Sequence, residues 1–233
     1  MKRYAAIYGF LAVFFTTFTS ALPIENAFEG SLRFNVSFTG GDMEDRAQVA
    51  MMVPESYKLY IKGNKTKVHM RGGMIGLMMG DVVIDGSTGR GFVISHMNDT
   101  AYEISADPNL KERVPPVILD EEELITIAGY ECKKYKVVRN NPSGAMIQYM
   151  WVTNEIQMDL ATSLGSTLKD SMPFWTEGLS GFPLKITTSF PGTPMSMTLT
   201  VTEVNRQRVD PSIFAVPAGY AIESLDTRKL FGR

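Results

Sequence analysis

Two histidines and one cysteine are the residues of this 233-residue chain best suited to nucleophilic or acid–base chemistry: His69, His96 and Cys132. A hydrolase of the Ser-His-Asp type needs a histidine positioned beside its nucleophile. No serine of the chain stands in a G-x-S-x-G elbow, which presents the nucleophile in many such enzymes. A zinc site needs three or four convergent ligands, and these three residues do not have the spacing of a zinc motif. The sequence therefore predicts no catalytic residue, no metal and no cofactor.

Methionine is frequent in residues 69–81, HMRGGMIGLMMGD, which contain Met70, Met74, Met78 and Met79. Thioethers beside a histidine are soft ligands that suit Cu(I), and a helix would align the first three methionines because they recur every four residues. Three glycines disfavour that helix, since each costs about 1 kcal/mol relative to alanine. Methionine also fills apolar surfaces that adapt to varied partners. The favoured prediction is a mobile apolar segment at the edge of a cavity, or an extended strand lining it; plain core packing is the alternative.

The first 21 residues have the order of a secretory signal. Lys2 and Arg3 precede an apolar run over residues 4–18, and small residues follow up to Ala21, as in a signal peptide with its cleavage site. The run is short for a membrane-spanning helix, which needs about 20 apolar residues; a retained N-terminal anchor is the alternative. We expect cleavage after Ala21 and a mature protein in the periplasm or outside the cell.

After this signal we expect one domain, residues 22–222, and a flexible tail, residues 223–233. The formal net charge is −2, and without a basic patch the chain is a poor candidate for binding nucleic acid. A single cysteine excludes a disulfide within the chain, so the hydrophobic core has to hold the fold. Cys132 lies in an alternating segment, and we expect it to be buried and unreactive.

Alternation of apolar and polar residues predicts most of the elements. Leu32, Phe34, Val36 and Phe38 alternate with polar residues in SLRFNVSF, which is typical of a half-buried strand. Turn residues at 63–64, 86–89 and 98–99 separate further strand segments, and such short connections predict antiparallel neighbours. Residues 46–53 are also expected to form a strand. Residues 106–124 are charged and hold three prolines, which favours a loop, with a single turn of helix as the alternative.

One segment, residues 155–180, favours a helix, because apolar residues recur there at helical spacing. The residues on that side are Met158, Ala161, Leu164, Leu168, Met172 and Trp175. One helix is narrow cover for a sheet of about 9–11 strands. The sheet therefore either curls around its own side chains or leaves a cavity with the helix as its lid. The predicted fold is mainly β: a single antiparallel curved sheet or incomplete barrel with a helical lid or plug.

Three motifs resemble the outer-membrane lipoprotein carrier superfamily: IAGYECKKY at 127–135, GFPLK at 181–185 and DPSIFAVPAGY at 210–220. The resemblance extends over residues 28–222 and points to a secreted, uncharacterised branch of that superfamily. It implies an incomplete antiparallel barrel with a helical lid over an apolar cavity, which the carriers use to hold acyl chains. The carriers have an arginine that holds the lid closed, near where this chain has Lys58. Lysine lacks the planar fork of arginine, so the same clamp is not expected.

The predicted function is that of an exported, non-enzymatic protein that binds a lipid or another apolar small molecule in the half-barrel and contacts membranes transiently. The predicted lining residues are Leu32, Phe34, Val36, Phe38, Met70, Met74, Met78, Met79, Leu164, Leu168, Met172 and Trp175. The alternative is a structural or interaction module of the cell envelope. In that case the protein's own side chains fill the barrel, and its methionine-rich loop contacts a partner protein.

Overall fold

The computed structural model describes residues 27–104, 115–141, 144–158, 176 and 178–225. The strands are β1 Gly30–Thr39, β2 Ser56–Lys62, β3 Lys65–Arg71, β4 Asp81–Asp85, β5 Arg90–Ser95, β6 Thr100–Ile104, β7 Val117–Ile127, β8 Tyr130–Asn141, β9 Gly144–Thr153, β10 Phe182–Ser189, β11 Ser196–Asn205 and β12 Ala221–Ser224. Two short helices, α1 Met43–Met52 and α2 Gly73–Met79, connect strands, and Pro211–Phe214 forms a turn of 3-10 helix.

The twelve strands form one sheet in the order β12-β6-β5-β4-β3-β2-β1-β11-β10-β9-β8-β7. In the described part of the chain β12 and β7 lie at its edges, so the sheet is not closed. Neighbouring strands are antiparallel except for β12, which runs parallel to β6. The predicted fold class, mainly β with an open curved sheet or incomplete barrel, is confirmed. The sheet has twelve strands where about 9–11 were expected.

The strand pairing gives the sheet one face that is mainly apolar. Leu32 on β1 lies opposite Leu59 on β2, and both are fully buried. On the same side of β1, the ring of Phe34 meets that of Phe182 edge to face, with centroids 6.2 Å apart. We call this side the core face. Its core cluster also includes Val68, Met70, Val82, Ile84, Val93, Val137, Met150, Leu184, Ile186, Leu199 and Val201.

The opposite side, the outer face, is covered at β3–β6 by residues 206–225, which we call the C-terminal segment. Val83, Ile94 and Ala101 point to this face and form a second cluster with Val209 and Phe214 of the segment. Directly opposed residues of paired strands lie on one face, and the pairs Val83–Phe92 and Ile94–Ala101 place this cluster away from the core cluster. The segment ends as β12 at the edge of the sheet.

The prediction of a strand at residues 46–53 is wrong, because this stretch belongs to α1. Asp42 caps the helix by accepting a hydrogen bond from the Asp45 N–H at 2.8 Å. Glu44 and Asp45 in the first turn favour the helix further, since acidic side chains suit the positive end of the helix dipole. None of the side chains of α1 is buried. The stretch therefore lacks the alternating burial that a half-buried strand would have.

The prediction of a loop is also wrong for residues 117–124, because β7 begins at Val117, whereas residues 106–114 lie outside the described residues. A bulge between Asp120 and Leu124 interrupts its pairing with β8, and Glu122 has a positive φ of 56°. The acidic residues thus occupy the irregular part of an edge strand, where charged side chains are common.

Other local predictions are confirmed. The predicted turn residues at 63–64, 86–89 and 98–99 lie between β2 and β3, β4 and β5, and β5 and β6, which pair as antiparallel hairpins. Cys132 is buried. The helix predicted within residues 155–180 lies for the most part outside the described residues, as do Leu164, Leu168, Met172 and Trp175.

Candidate functional site

Two helices with exposed apolar side chains lie at one end of the sheet. α1 joins β1 to β2 and α2 joins β3 to β4. Because these strands alternate in direction, both connections leave the sheet at the same end, where the two helices contact one another. The exposed large apolar side chains of the pair, which we call the methionine surface, are Met43, Met51, Met52, Met74 and Leu77.

Glycines let α2 pack closely on the chain that leaves α1. Gly73 has a φ of +63°, and a β-carbon there would overlap the carbonyl oxygen of Val53 and lie 2.9 Å from the Pro54 nitrogen. Gly76 is buried, and a β-carbon there would lie 3.6 Å from Cγ of Pro54. The glycines of the methionine stretch therefore permit close packing of a helix. The prediction of a loop or extended strand is wrong for residues 73–79.

The two sides of α2 have different surroundings. Ile75 and Met79 pack against the core cluster, whereas the side chains of Met74 and Leu77 are 52% and 68% exposed. Met70, at the end of β3, is itself a buried member of the core cluster. This helix therefore continues the apolar core to the protein surface.

Most of the predicted lining residues that the structure describes lie on the core face or at its end. Leu32, Phe34 and Met70 are buried in the core cluster, and Val36 and Met79 pack against it. Phe38 and Met78 are half-buried, and Met74 is exposed. The structure thus brings the β1 residues and part of the methionine stretch together at one apolar face.

Lys58 points to the outer face, where its Nζ stands 5.0 Å from the centre of the Tyr60 ring. The arginine on the core face is Arg139 of β8, whose Nε donates to Gln148 Oε1 at 3.2 Å and whose Nη2 donates to Thr176 Oγ1 at 2.9 Å. Gln148 in turn donates to Thr188 Oγ1 at 3.1 Å. This polar group was missed in the sequence, because its hydrogen bonds join residues 9 to 40 positions apart.

The two histidines converge on one buried carboxylate, which the sequence analysis also missed. His69 Nδ1 lies 2.6 Å from Asp81 Oδ1, and His96 Nε2 lies 3.2 Å from Asp81 Oδ2. Lys67 Nζ forms an ion pair with the same Oδ2 at 2.8 Å. The Asp81 side chain is only 5% exposed. We call this group, on the outer face beside the end of α2, the Asp81 centre.

The Asp81 centre also holds the C-terminal segment. His96 Nδ1 lies 2.9 Å from the Tyr220 hydroxyl oxygen, and the two rings meet edge to face. Burial raises the pKa of the Asp81 carboxyl, but the hydrogen bonds from Lys67 and His69 outweigh burial and hold that pKa below its ordinary value. The carboxylate is therefore ionised at neutral pH, with three donors around it.

In the described ranges no group of three His, Cys, Asp or Glu side chains is placed to hold a metal ion. Burial raises the pKa of the Cys132 thiol to about 11, so this thiol is a poor nucleophile at neutral pH. Among the helices of the described residues, none is long and apolar enough to cross a membrane.

Comparisons with known proteins identify a family. Residues 28–220 match the model of DUF4412, a domain of unknown function, and the chain belongs to that family. A search of curated proteins returns no match.

The chain is also similar to several solved structures. PNGF-II is 16% identical with a TM-score of 0.48 over 88% of this chain, which spans 32% of PNGF-II. An uncharacterised conserved protein from Thermus thermophilus is 12% identical with a TM-score of 0.46, covering 84% of this chain and 91% of that protein. A LolA superfamily protein from Nitrosomonas europaea is 9% identical with a TM-score of 0.36, covering 82% of this chain and 91% of that protein.

Proposed function

We propose that this member of the DUF4412 family binds a lipid or another apolar ligand, and that the methionine surface is where the ligand makes its first contact. The observation that carries the proposal is the placement of α2. One side of this helix lies exposed beside the apolar residues of α1, and the other side packs into the core cluster.

The methionine surface consists of exposed apolar side chains on two helices that contact one another. Met43 and Met51 of α1 are 77% and 68% exposed, and Leu77 of α2 is 68% exposed. Isolated exposed apolar residues are normal on soluble proteins, whereas a contiguous group of them marks a contact site. Methionine suits ligands of varied shape because its unbranched thioether side chain adapts.

The same helix also links the methionine surface to the core face. Ile75 and Met79 connect α2 to the cluster that contains Phe34 and Leu59. An acyl chain that displaces α2 from this cluster would exchange one set of apolar contacts for another. Each methylene that it removes from water contributes about 0.8 kcal/mol, which is the driving force for binding.

The proposal includes export and a role without catalysis. The signal-like residues 1–21 support a location in the periplasm or outside the cell. An exported binding protein would meet lipids at membrane surfaces, so transient membrane contact belongs to the same proposal.

Fluorescence titration with fatty acids of increasing chain length tests the proposal. We expect the Kd to fall about fourfold for each added methylene, because about 0.8 kcal/mol corresponds to that factor. Binding that does not respond to chain length would overturn burial as the mechanism. Native mass spectrometry of the protein incubated with a lipid extract gives an independent readout, and failure to take up any acyl ligand contradicts the proposal.

A matched pair of variants tests the place of contact. Replacing Met74→Lys and Leu77→Lys together puts two charges on the exposed side of α2, and we expect at least tenfold weaker binding. Leu124→Lys is the control, because Leu124 is similarly exposed, at 57%, but lies on β7 at the far edge of the sheet. Equal binding by the double variant and the control would exclude the methionine surface as the entry point.

A protein partner is the second candidate, and one observation favours it. Leu32, Phe34 and Leu59 are fully buried, as expected if the protein's own side chains fill the core face. The methionine surface would then contact a partner protein of the cell envelope. A protein that takes up no acyl ligand in either experiment, while a defined partner binds it and not the double variant, would favour this function.

A further inference from the structure

His96 lies between the sheet and the C-terminal segment, and both of its ring nitrogens have partners. Nε2 faces the Asp81 carboxylate at 3.2 Å, and Nδ1 faces the Tyr220 hydroxyl at 2.9 Å. The His96 side chain is 45% exposed, so protons from solvent reach it. Histidine is the side chain whose charge ordinarily changes between pH 5 and 8.

When His96 is neutral, His96 and Asp99 compete for the hydroxyl proton of Tyr220. An ionised carboxylate only accepts, so Nε2 must carry the proton that is donated to Asp81, and Nδ1 must then accept from Tyr220. Asp99 is also close to the Tyr220 hydroxyl. Burial raises the pKa of this hydroxyl most, and its hydrogen bond with Asp99 raises it further. A phenol has one proton, so Tyr220 cannot donate to His96 and Asp99 together.

Protonation of His96 removes the competition. Both ring nitrogens then donate, Nε2 to Asp81 and Nδ1 to the Tyr220 oxygen. The Tyr220 proton is free to be donated to Asp99. In the hydrogen-bonded series Asp81, His96, Tyr220 and Asp99, every donor then has its own acceptor. The new positive charge on the His96 ring lies between the carboxylates at the two ends of this series.

We propose that His96 is a pH-sensitive clasp, which holds the C-terminal segment to the outer face more tightly when it is protonated. The clasp goes beyond the proposed function.

The other charged groups around the clasp come from β3 and act on Asp81. Lys67 Nζ shares Asp81 Oδ2 with His96 and opposes a second positive charge there. His69 bonds the other oxygen, Oδ1, and does not contact Tyr220 among the described contacts. His69 therefore contacts the same carboxylate without a direct bond to the segment, which makes it the natural control residue.

The segment next to Tyr220 provides the readout. The Ala221 N–H donates to the Asp99 carbonyl at 3.0 Å, and the Leu225 N–H donates to the Glu103 carbonyl at 2.9 Å. These bonds attach the edge strand β12 to its neighbour β6. Their opening exposes both amides to hydrogen exchange without requiring the core to unfold.

Hydrogen exchange of residues 221–225 between pH 8 and pH 5.5, corrected for the intrinsic exchange rate, tests the clasp. We expect protection in the wild type to rise about threefold to tenfold as the pH falls, the range of one added hydrogen bond. Tyr220→Phe keeps the ring but removes the hydroxyl, and its protection should not change with pH. His69→Gln should keep the wild-type rise.

A second variant guards against a general effect of the tyrosine substitution. Asp99→Asn is compatible with the positive φ of 50° at this position, which asparagine tolerates. The substitution removes the carboxylate that accepts the hydrogen bond from Tyr220. We expect this variant to lose most of the rise. A wild-type protection that is flat or falls with acidification overturns the clasp, as does a Tyr220→Phe profile that matches the wild type.

Discussion

Gly73 packs against the backbone of Val53 with no room for a β-carbon. This contact fixes α2 on the chain that follows α1, and it brings the methionines of two separate stretches onto one surface. The glycines that disfavour a helix by their intrinsic propensity are thus the residues that allow this one to pack.

Substitution Gly73→Ala should destabilise the protein strongly. The left-handed backbone at φ +63° costs a non-glycine residue about 1–2 kcal/mol, and the overlap with Val53 adds about 1–3 kcal/mol. The free energy of unfolding in urea measures the loss. Gly89→Ala is the control, because Gly89 has a similar φ of +67° but nothing within 4 Å of the added carbon. Equal losses at the two positions would show that the contact with Val53 does not matter.

Substitution Phe34→Ala should lower the free energy of unfolding by about 3–5 kcal/mol. Phe34 is fully buried and meets the ring of Phe182, so its removal leaves a cavity at the centre of the sheet. Phe190→Ala, at a residue 38% exposed in the β10–β11 turn, should cost about 1 kcal/mol or less. Chemical denaturation of both variants measures the difference in the free energy of unfolding. A small decrease for Phe34→Ala would show that Phe34 is not part of the hydrophobic core.

The Cys132 thiol should resist alkylation in the folded protein. Its pKa of about 11, raised mainly by burial, leaves about one thiol in a thousand ionised at pH 8. We expect iodoacetamide to modify it at a rate set by unfolding, and to modify it rapidly in denaturant. Rapid alkylation of the native protein, at the rate of a free thiol, would contradict its burial.

The Asp81 centre should make stability depend on pH in the acid range. Because the folded-state pKa of Asp81 is below the ordinary 3.8, its contribution is fully present above that value and is lost as the pH falls through the folded-state pKa. Asp81→Asn should therefore cost about 1–3 kcal/mol at neutral pH. The stability difference between wild type and variant should shrink below pH 4, as the Asp81 carboxyl takes up a proton. If the stability difference stays constant down to the lowest pH at which the protein folds, the ionised Asp81 carboxylate is not the cause of that difference.

Local patterns predicted the parts of the fold that depend on neighbouring residues. Alternation in SLRFNVSF placed Leu32 and Phe34 on the buried face correctly, and turn residues such as Gly63 placed the hairpins. α1 was not predicted because the spacing of its apolar residues is compatible with a strand. The N-terminal cap at Asp42 favours the helix instead.

The candidate site depends on pairs that are distant in the chain. His69 meets Asp81 because of the register between β3 and β4, and His96 reaches the same carboxylate from the turn after β5. The partner of His96, Tyr220, lies 124 residues further along the chain. No spacing rule within the sequence joins these residues, so the Asp81 centre became visible only in the folded sheet.

The central position of β1 has a consequence for protein synthesis. One edge of β1 pairs with β2, which follows shortly after it, but its other edge pairs with β11, and Arg33 and Glu203 are 170 residues apart. At a ribosomal rate of about 5–20 residues per second, that edge waits about 10–30 s for its partner strand. An open strand edge is a template for pairing with the wrong chain. The growing polypeptide therefore passes through a vulnerable interval that ends only when the last strands have been made.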